Sequence, residues 1–363
     1  MGTCRQIRPL AGGPLRTVIV GYGRAGRELH HVAMNEAATT ASAGLHSPDV
    51  IAVDPRRPAS LPERTHWLAD VRELARHPAA DMDRTVFHLA TPPGSRLPVL
   101  RALLDLGARA VVVEKPFAAT RSEALAMRAA AASAGAHLVP VAVWPSSTVT
   151  HRLSRELGEI GELGVLQRLV MEQSKPRPPR AGDGGVGHRS AFDIEMPHQL
   201  LLALHLAGPV SDVLAAQTEP YPGGDPAVAR LGGARLVVRH RSGVVSELVS
   251  DFTVSHRRRS LTALASHGWA RGDYPLSADA REGVFESSRQ RSAVALPDRP
   301  LTRFLADTYR YLAGDTGTPP AGTDLDLHVH ATAVLALAAR TAGIDDAPPA
   351  PMTTSEAHEE AIA

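Results

Sequence analysis

The sequence predicts an α/β protein of two domains. A doubly wound parallel sheet spans residues 14–145, an α+β domain with a mostly antiparallel open sheet spans 146–343, and 344–363 form a disordered tail. Three observations predict this. Short apolar runs alternate with helical patterns through the first 140 or so residues, as parallel strands joined by crossover helices do. A glycine-rich turn, Gly21-Tyr22-Gly23-Arg24-Ala25-Gly26, lies directly between a strand and a helix of that pattern. From about Thr150 consecutive strands separated by turns take over, which suits an antiparallel sheet.

Thr17 to Val20 is apolar and β-branched and predicts the first strand, with a helix beginning near Arg24. Further strands are expected at Val50–Val53, Thr85–Ala90, Ala110–Val113 and His137–Val139, and helical patterns lie between them at Val71–Arg76, Leu97–Leu106 and Arg121–Ala134. In the second domain a helix near His151–Leu157 precedes a long strand, Val165–Lys175. Ala234–His240 and Val244–Phe252 flank Arg241-Ser242-Gly243, a hairpin signal. Ser260–Ala265 and Gly283–Ser287 add strands, and Leu301–Ala313 and Leu325–Ala342 are helical. Residues 1–13 read as frayed, and no internal repeat is present.

Composition excludes several function classes. With 39 basic and 38 acidic residues the net charge is +1, which leaves no electrostatic footprint for nucleic acid or an anionic membrane. A single cysteine, Cys4, rules out an internal disulfide and a cysteine-built metal site and fits a reducing, cytoplasmic setting. No signal-peptide apolar region or membrane-spanning run is evident. Seventeen histidines invite a metal reading, but no HExxH or similar spacing supports one, and His328 and His330 stand two apart on a helix, a poor pair of ligands. His256-Arg257-Arg258-Arg259 reads as a turn.

The glycine-rich turn is the first functional motif. Its first glycine permits a tight turn, its second lets a pyrophosphate approach the backbone, and its third lets helix pack on strand. The helix N-terminus then offers free N–H groups to phosphate. Asp54 ends the second strand 28 residues beyond Gly26, and the segment Ala37–Gly44 absorbs the excess over the usual spacing. An acid there hydrogen-bonds the adenosine ribose hydroxyls and favours NAD, whereas Arg56 and Arg57 are placed to hold the 2′-phosphate of NADP.

Lys115 is the second. The chain holds two lysines among its 39 basic residues, and Lys115 ends the strand Val111-Val112-Val113-Glu114-Lys115-Pro116. Lysine gives up its proton where arginine cannot, and tuning it from about 10.4 to about 7.5 costs roughly 4 kcal/mol, within reach of a partly buried cleft. It reads as a proton donor and acceptor, the bland alternative being a salt-bridging lysine at a strand end.

In the order GYGRAG, VDP, ATPP and EKP the chain resembles the Gfo/Idh/MocA family, the glucose–fructose oxidoreductase and inositol dehydrogenase group. The resemblance implies a Rossmann domain, an α+β domain whose sheet carries the substrate pocket, NAD or NADP as cofactor, and a homo-oligomer, dimer or tetramer. It implies hydride transfer between nicotinamide and a sugar, cyclitol or related carbonyl carbon. Lys115 falls on the family's catalytic lysine with Glu114 and Pro116 as matching neighbours, and Ala90-Thr91-Pro92 fall on the turn that runs along the cofactor.

Departures from the pattern are equally specific. Pro93 stands where the family has Asn and Arg96 where it has His, which makes Arg96 a candidate cofactor or substrate contact. Val143-Trp144-Pro145-Ser146-Ser147 lacks the usual Asn and Arg, and Trp144 is placed either to stack on a substrate ring or to fill the domain junction. After Gly184-Gly185-Val186-Gly187, His198 takes the family's histidine position, but Asp193 is five residues before it and Glu195 three, against the family's four. His198, behind Pro197 at a helix start, is expected neutral and able to share a hydrogen bond with substrate, and Asp193 or Glu195 to orient it or grip a hydroxyl. Lys175, with Arg177 and Arg180, can receive a substrate carboxylate or phosphate. The sequence supports three readings: an NAD(P)-dependent oxidoreductase of sugar-like small molecules, an imine or carbonyl reductase of specialised metabolism, and a non-catalytic dinucleotide-binding regulator.

Overall fold

The computed structural model describes residues 9–10, 12–40, 42–77, 81–158, 161–178, 188, 190–222, 229–277 and 279–344. The Gly184–Gly187 stretch, Arg180 and the tail beyond Ile344 lie outside them. Six strands come first: β1 (Leu15–Val20), β2 (His46–Val53), β3 (Thr65–Leu68), β4 (Thr85–Leu89), β5 (Ala110–Val113) and β6 (His137–Pro140). Between them run a π-helical turn, Ala25–His31, continuing into α1 (Val32–Thr39), then α2 (Arg96–Asp105) and α3 (Arg121–Ala134). The second sheet holds β7 (Leu166–Ser174), β8 (Val210–Glu219), β9 (Gly233–His240), β10 (Val245–Asp251), β11 (Arg258–Ala265), β12 (Gly268–Asp273), β13 (Glu282–Ser287) and β14 (Val294–Pro297). Its helices are α4 (Thr148–Glu156) and α5 (Met196–Ala207), and the chain closes with α6 (Pro300–Ala313) and α7 (Leu325–Thr341).

The first sheet is wholly parallel in the order β3-β2-β1-β4-β5-β6, the doubly wound arrangement. Its central strands are mostly apolar runs because both faces are covered. Alternate residues divide between two cores. Val18, Val20, Phe87, Leu89, Val111 and Val113 pack on one side with Leu100 and Leu103 of α2 and Met127 of α3. Ile19, Val50, Val86 and Val112 pack on the other with Met34 of α1 and Phe304, Leu305, Tyr309 and Leu312 of α6. Helix α3 begins with a capping box, Thr120 and Glu123 exchanging side chain and backbone bonds, and ends on Gly135 at φ +63°.

The chain forms two compact units, each discontinuous in sequence. The first comprises Met1–Ser146 together with Pro300–Thr332, and the second Ser147–Arg299 with Ala333–Ala363. The return through α6 lies in the first unit, where Phe304, Leu305, Tyr309 and Leu312 cover one face of the sheet.

The second sheet runs β14-β13-β12-β11-β7-β10-β9-β8, antiparallel except for the β10–β7 pair. Helices α5 and α4 cover one face, α5 over β7, β9 and β10 and α4 over β12 and β13. Val149 of α4 sits so close to the sheet that a side chain on Gly272 or Gly283 would overlap it. On the other face Arg168 and Arg235 pair with Glu247 at 2.7 and 2.8 Å, and Leu264, Trp269 and Val284 are left exposed. Arg258 and Arg259, read as a turn, instead open β11. Strands β3, β8, β12 and β14 were not predicted.

Candidate active site

Register assembles the first site. Val53, Val20, Leu89 and Val113 are successive Cα partners across β2, β1, β4 and β5. The residues immediately after them are Asp54, Gly21, Ala90 and Glu114. Four motifs scattered over nearly a hundred residues thus start from one row at the carboxyl edge of the sheet. The winding reverses between β1 and β4, so this edge is the crevice where open α/β sheets take ligands.

Each glycine of the turn has its own reason. Gly21 stands at φ +89°, and a Cβ there would lie 2.7 Å from the backbone of Ala90 and Thr91. At Gly26 a Cβ would overlap the Gly21 carbonyl oxygen, which is the close strand–helix approach expected of the third glycine. Gly23 has no protein atom within 4 Å of its would-be Cβ and is exposed. Nothing in the chain requires glycine there; a group laid against the loop would. Arg24 precedes the π-helical turn and Ala25 opens it, and the Arg27 N–H is bonded back to Gly23 O at 2.8 Å. Tyr22 turns inward, its hydroxyl 2.5 Å from His31 Nδ1, and burial pushes its pKa up.

Asp54 is fixed by its surroundings. Its Oδ2 accepts the Tyr22 N–H at 2.8 Å, its Oδ1 the Arg56 N–H at 2.9 Å, and its carbonyl the Trp67 indole N–H at 3.0 Å. The Arg57 guanidinium lies over the Trp67 ring, 5.6 Å from its centre, and both Arg56 and Arg57 are exposed. Across the row, Thr91 Oγ1 is buried without a hydrogen-bond partner, an acceptor and donor at the end of β4, while Pro92 is exposed. An open loop surface at Gly23, an orphan hydroxyl and an anchored carboxylate together fit a dinucleotide.

Lys115 is half-buried on the turn after β5. Arg96 was expected to face cofactor or substrate. The structure corrects this: its guanidinium donates to the carbonyls of Glu114 and Pro116, to Lys115 O at 3.4 Å and, through Nε, to Thr91 O at 2.9 Å. Charge-assisted bonds to several carbonyls lock the backbone on either side of the lysine. Burial lowers the Arg96 pKa to about 10, with the Glu114 charge opposing that shift. Glu114 is 6% exposed. Burial pushes its carboxyl up, but the hydrogen bond and charge of His30, then Lys115 and Arg96, hold it down at about 2. Trp144 is buried at the end of the first unit.

In the second unit the predicted residues are placed around the start of α5. Glu195 caps it and pairs with Lys175 Nζ at the end of β7. A shallow cleft there is lined by Gln173, Ser174, Lys175, Glu195, Arg257, Arg258, Arg259 and Leu276. Arg257 is steadied by Leu276 O at 2.9 Å and Arg259 by Pro275 O. Asp193 and His198 are not part of that lining. Asp193 accepts the Ser190 N–H at 3.2 Å in a capping box, a folding role. His198 is half-buried in the first turn of α5. The arginines of this pocket were missed because a short basic run carries no sign of the strand it enters.

Comparison with known proteins places this arrangement. Residues 15–141 match the GFO_IDH_MocA model, described as an oxidoreductase family with an NAD-binding Rossmann fold. No curated protein sequence matches the chain. Among solved structures it is similar to a 3-ketoreductase from Actinomadura kijaniata, KijD10, in complex with NADP and TDP-benzene, at 14% identity and TM-score 0.69 over 91% of this chain and 98% of that one. It is similar also to an aldose–aldose oxidoreductase from Caulobacter crescentus complexed with glycerol, at 18% identity and TM-score 0.70 over 91% and 98%. A third is a putative NADPH-dependent oxidoreductase from Desulfitobacterium hafniense, at 14% identity and TM-score 0.71 over 90% and 95%. The fold is shared across both units, and the motifs and the family model agree on residues 15–141, which match the NAD-binding Rossmann domain of the GFO_IDH_MocA oxidoreductase family.

Proposed function

We propose that the protein transfers a hydride between a nicotinamide and the carbonyl or alcohol carbon of a sugar, cyclitol or related polar small molecule, with Lys115 handling the proton. The observation that carries this reading is the single row that sets Gly21, Asp54, Ala90 and Glu114–Lys115 along one sheet edge. The bound dinucleotide supplies or accepts the hydride. In reduction the Lys115 ammonium gives its proton to the substrate oxygen; in oxidation the neutral amine takes it back. Arg96 keeps the lysine turn in place through the carbonyls around it, so positioning does not depend on the substrate.

The pocket at Lys175 supports a substrate that joins hydroxyls to an anionic group. Glu195 suits a hydroxyl, and Lys175, Arg257 and Arg259 suit a phosphate or carboxylate. Nucleotide-linked keto-sugars therefore head a substrate screen, ahead of inososes and simple ketoses. The similar 3-ketoreductase crystallised with TDP-benzene supports that order.

Calorimetric titration with NADH and NADPH tests the cofactor site. Asp54 favours NADH, and a repelled 2′-phosphate is expected to weaken NADPH by about tenfold, equivalent to ~1.4 kcal/mol. Tighter NADPH binding would hand the adenosine end to Arg56 and Arg57. Gly26→Ala, whose methyl meets the Gly21 carbonyl, is expected to abolish binding of both. A folded wild-type sample that binds neither form would sink the dehydrogenase reading.

We assign a homo-oligomer to the uncovered face of the second sheet, where Leu264, Trp269 and Val284 stand exposed among ion pairs. Light scattering is expected to give a dimer or tetramer, and Trp269→Arg to lower the mass toward a monomer. A wild-type monomer at micromolar concentration would refute it.

A further inference from the structure

One side chain on the edge strand of the first sheet touches both groups that can read the adenosine ribose. Trp67 on β3 is the Cα partner of Ala52 on β2, so its indole lies beside the exit of β2, where Asp54, Arg56 and Arg57 follow. Its Nε1–H donates to the Asp54 carbonyl at 3.0 Å, which restrains the ring. The Arg57 guanidinium sits over that ring, 5.6 Å from its centre. Asp54 is also held without the indole. Its own N–H donates to Leu68 O at 3.1 Å, and its two carboxylate oxygens accept the Tyr22 and Arg56 N–H groups.

The two readers differ in what they leave available. A carboxylate offers about four lone-pair sites, so two backbone N–H groups leave Asp54 capacity for a pair of ribose hydroxyls. A guanidinium carries a fork of N–H donors, and contact with an aromatic ring draws on its charge without needing an acceptor. Arg57 makes no hydrogen bond or ion pair among the described residues, so those donors stay available to an anion. Arg56 is exposed and has no ring partner among the described residues, and ordering it would cost the rotamer freedom of a long side chain. Arg57 has already given up part of that freedom on Trp67. A receptor ordered before its ligand arrives binds more tightly.

We propose that Trp67 is a positioning residue for cofactor choice: it holds Arg57 as a ready receptor for a 2′-phosphate beside the ribose reader Asp54, so that one site accepts both NADP and NAD. The Asp54 charge opposes the phosphate and Arg57 offsets that charge, which limits the preference for NADH to the modest one expected above. Without the indole, Arg57 returns to water and the repulsion is left unopposed. The assignment rests on the carboxyl edge of the first sheet holding a dinucleotide. To that reading it adds a residue from a strand that bears none of the nucleotide motifs.

Calorimetric titration of the full chain with NADPH and with NADH tests this without any turnover. Trp67→Leu is expected to lower NADPH affinity by about two- to fivefold, as loss of an exposed cation–π contact should, while NADH affinity stays nearly unchanged. Trp67→Phe, which keeps an aromatic face for the guanidinium, is expected to recover most of the loss. Arg57→Leu is expected to lower NADPH affinity by about tenfold or more, since charge-assisted bonds to the phosphate go with it. Trp67→Leu added to Arg57→Leu should then cost nothing further, because the indole acts only through the arginine. Equal losses for the two dinucleotides in Trp67→Leu overturn the proposal, as do additive losses in the double variant. Should Trp67→Leu not fold, exposed Arg57 carries the test alone, and an unchanged NADPH affinity in Arg57→Leu overturns it. A wild type that takes NADH and no NADPH overturns it as well. A wild type that binds neither sinks the cofactor site and this assignment together, whereas one that binds both, with the ratio unmoved by Trp67→Leu, sinks this assignment alone.

Discussion

Lys115→Met is expected to lower kcat by about 10²–10⁴-fold, the usual worth of a positioned acid or base, while NADH affinity stays within a few fold. Methionine keeps the length and the apolar stem of the side chain but has no proton to exchange. The backbone around it should hold, because Arg96 grips carbonyl oxygens and not the lysine side chain. Lys115→Arg sharpens the test: the charge survives, the proton does not leave, and turnover is expected to be nearly as low. Steady-state kinetics on whichever substrate the screen returns, with calorimetry on the same samples, reads both quantities. Turnover that persists in Lys115→Met within tenfold would move the acid–base task to another residue. A wild-type protein that binds NADH and turns over nothing in the screen would favour a dinucleotide-binding regulator.

Acid should unfold the first unit, by an amount that its buried histidines set. Burial lowers the pKa of His46 to about 4, and burial lowers that of His328 to about 4 against the opposing bond to Gly322 O and the Asp324 charge. His88 is pushed well below its ordinary value by burial and then by its histidine neighbours. In the unfolded chain each takes a proton near pH 6.5, whereas folded His46 and His328 refuse it until about pH 4. Their contribution is thus complete above about pH 6.5 and is lost as pH falls toward 4. Each shift from 6.5 to about 4 is equivalent to about 3 kcal/mol, so His46 and His328 together remove roughly 6 kcal/mol, comparable with the whole stability of a domain. Glu114, held at about 2, adds a further loss below about pH 4.5. The melting temperature is expected to drop by roughly 10–20 °C between pH 7 and pH 4. His328→Gln, which can still donate to Gly322 O, should recover about half of that drop. A melting temperature that is flat over this range would mean that these rings are solvated.

Legibility in the sequence tracked the range of the interactions. Strands β1, β4, β5 and β6 and the second half of β2 could be read because both faces of each are largely buried and the runs are mostly apolar. Strand β3 could not: Thr65-His66-Trp67-Leu68 is a four-residue edge in which no residue is fully buried. Strand β12, Gly268-Trp269-Ala270-Arg271-Gly272-Asp273, looks like a turn because Val149 demands glycine where a strand would carry a side chain. The nucleotide motifs were legible since their spacing encodes the row at the sheet edge. Arg96 was misread for the opposite reason: its partners are main-chain carbonyls, which no sequence pattern marks. Trp67 went unseen with its strand, because a tryptophan on a short edge gives no sign of the guanidinium it seats.

The chain's return through Pro300–Ala313 bears on how the protein is made. The six strands of the first sheet are complete by Pro140, yet Phe304, Leu305, Tyr309 and Leu312 close one of its two cores. At about 5–20 residues per second of synthesis, the ~160 residues in between take roughly ten to thirty seconds. For that interval the emerging sheet presents Ile19, Val50, Val86 and Val112 without their final cover, and Thr17 and His88 without Tyr309. The nucleotide-binding unit is thus the first to begin and among the last to finish, and the face that α6 later occupies is an apolar surface open during synthesis.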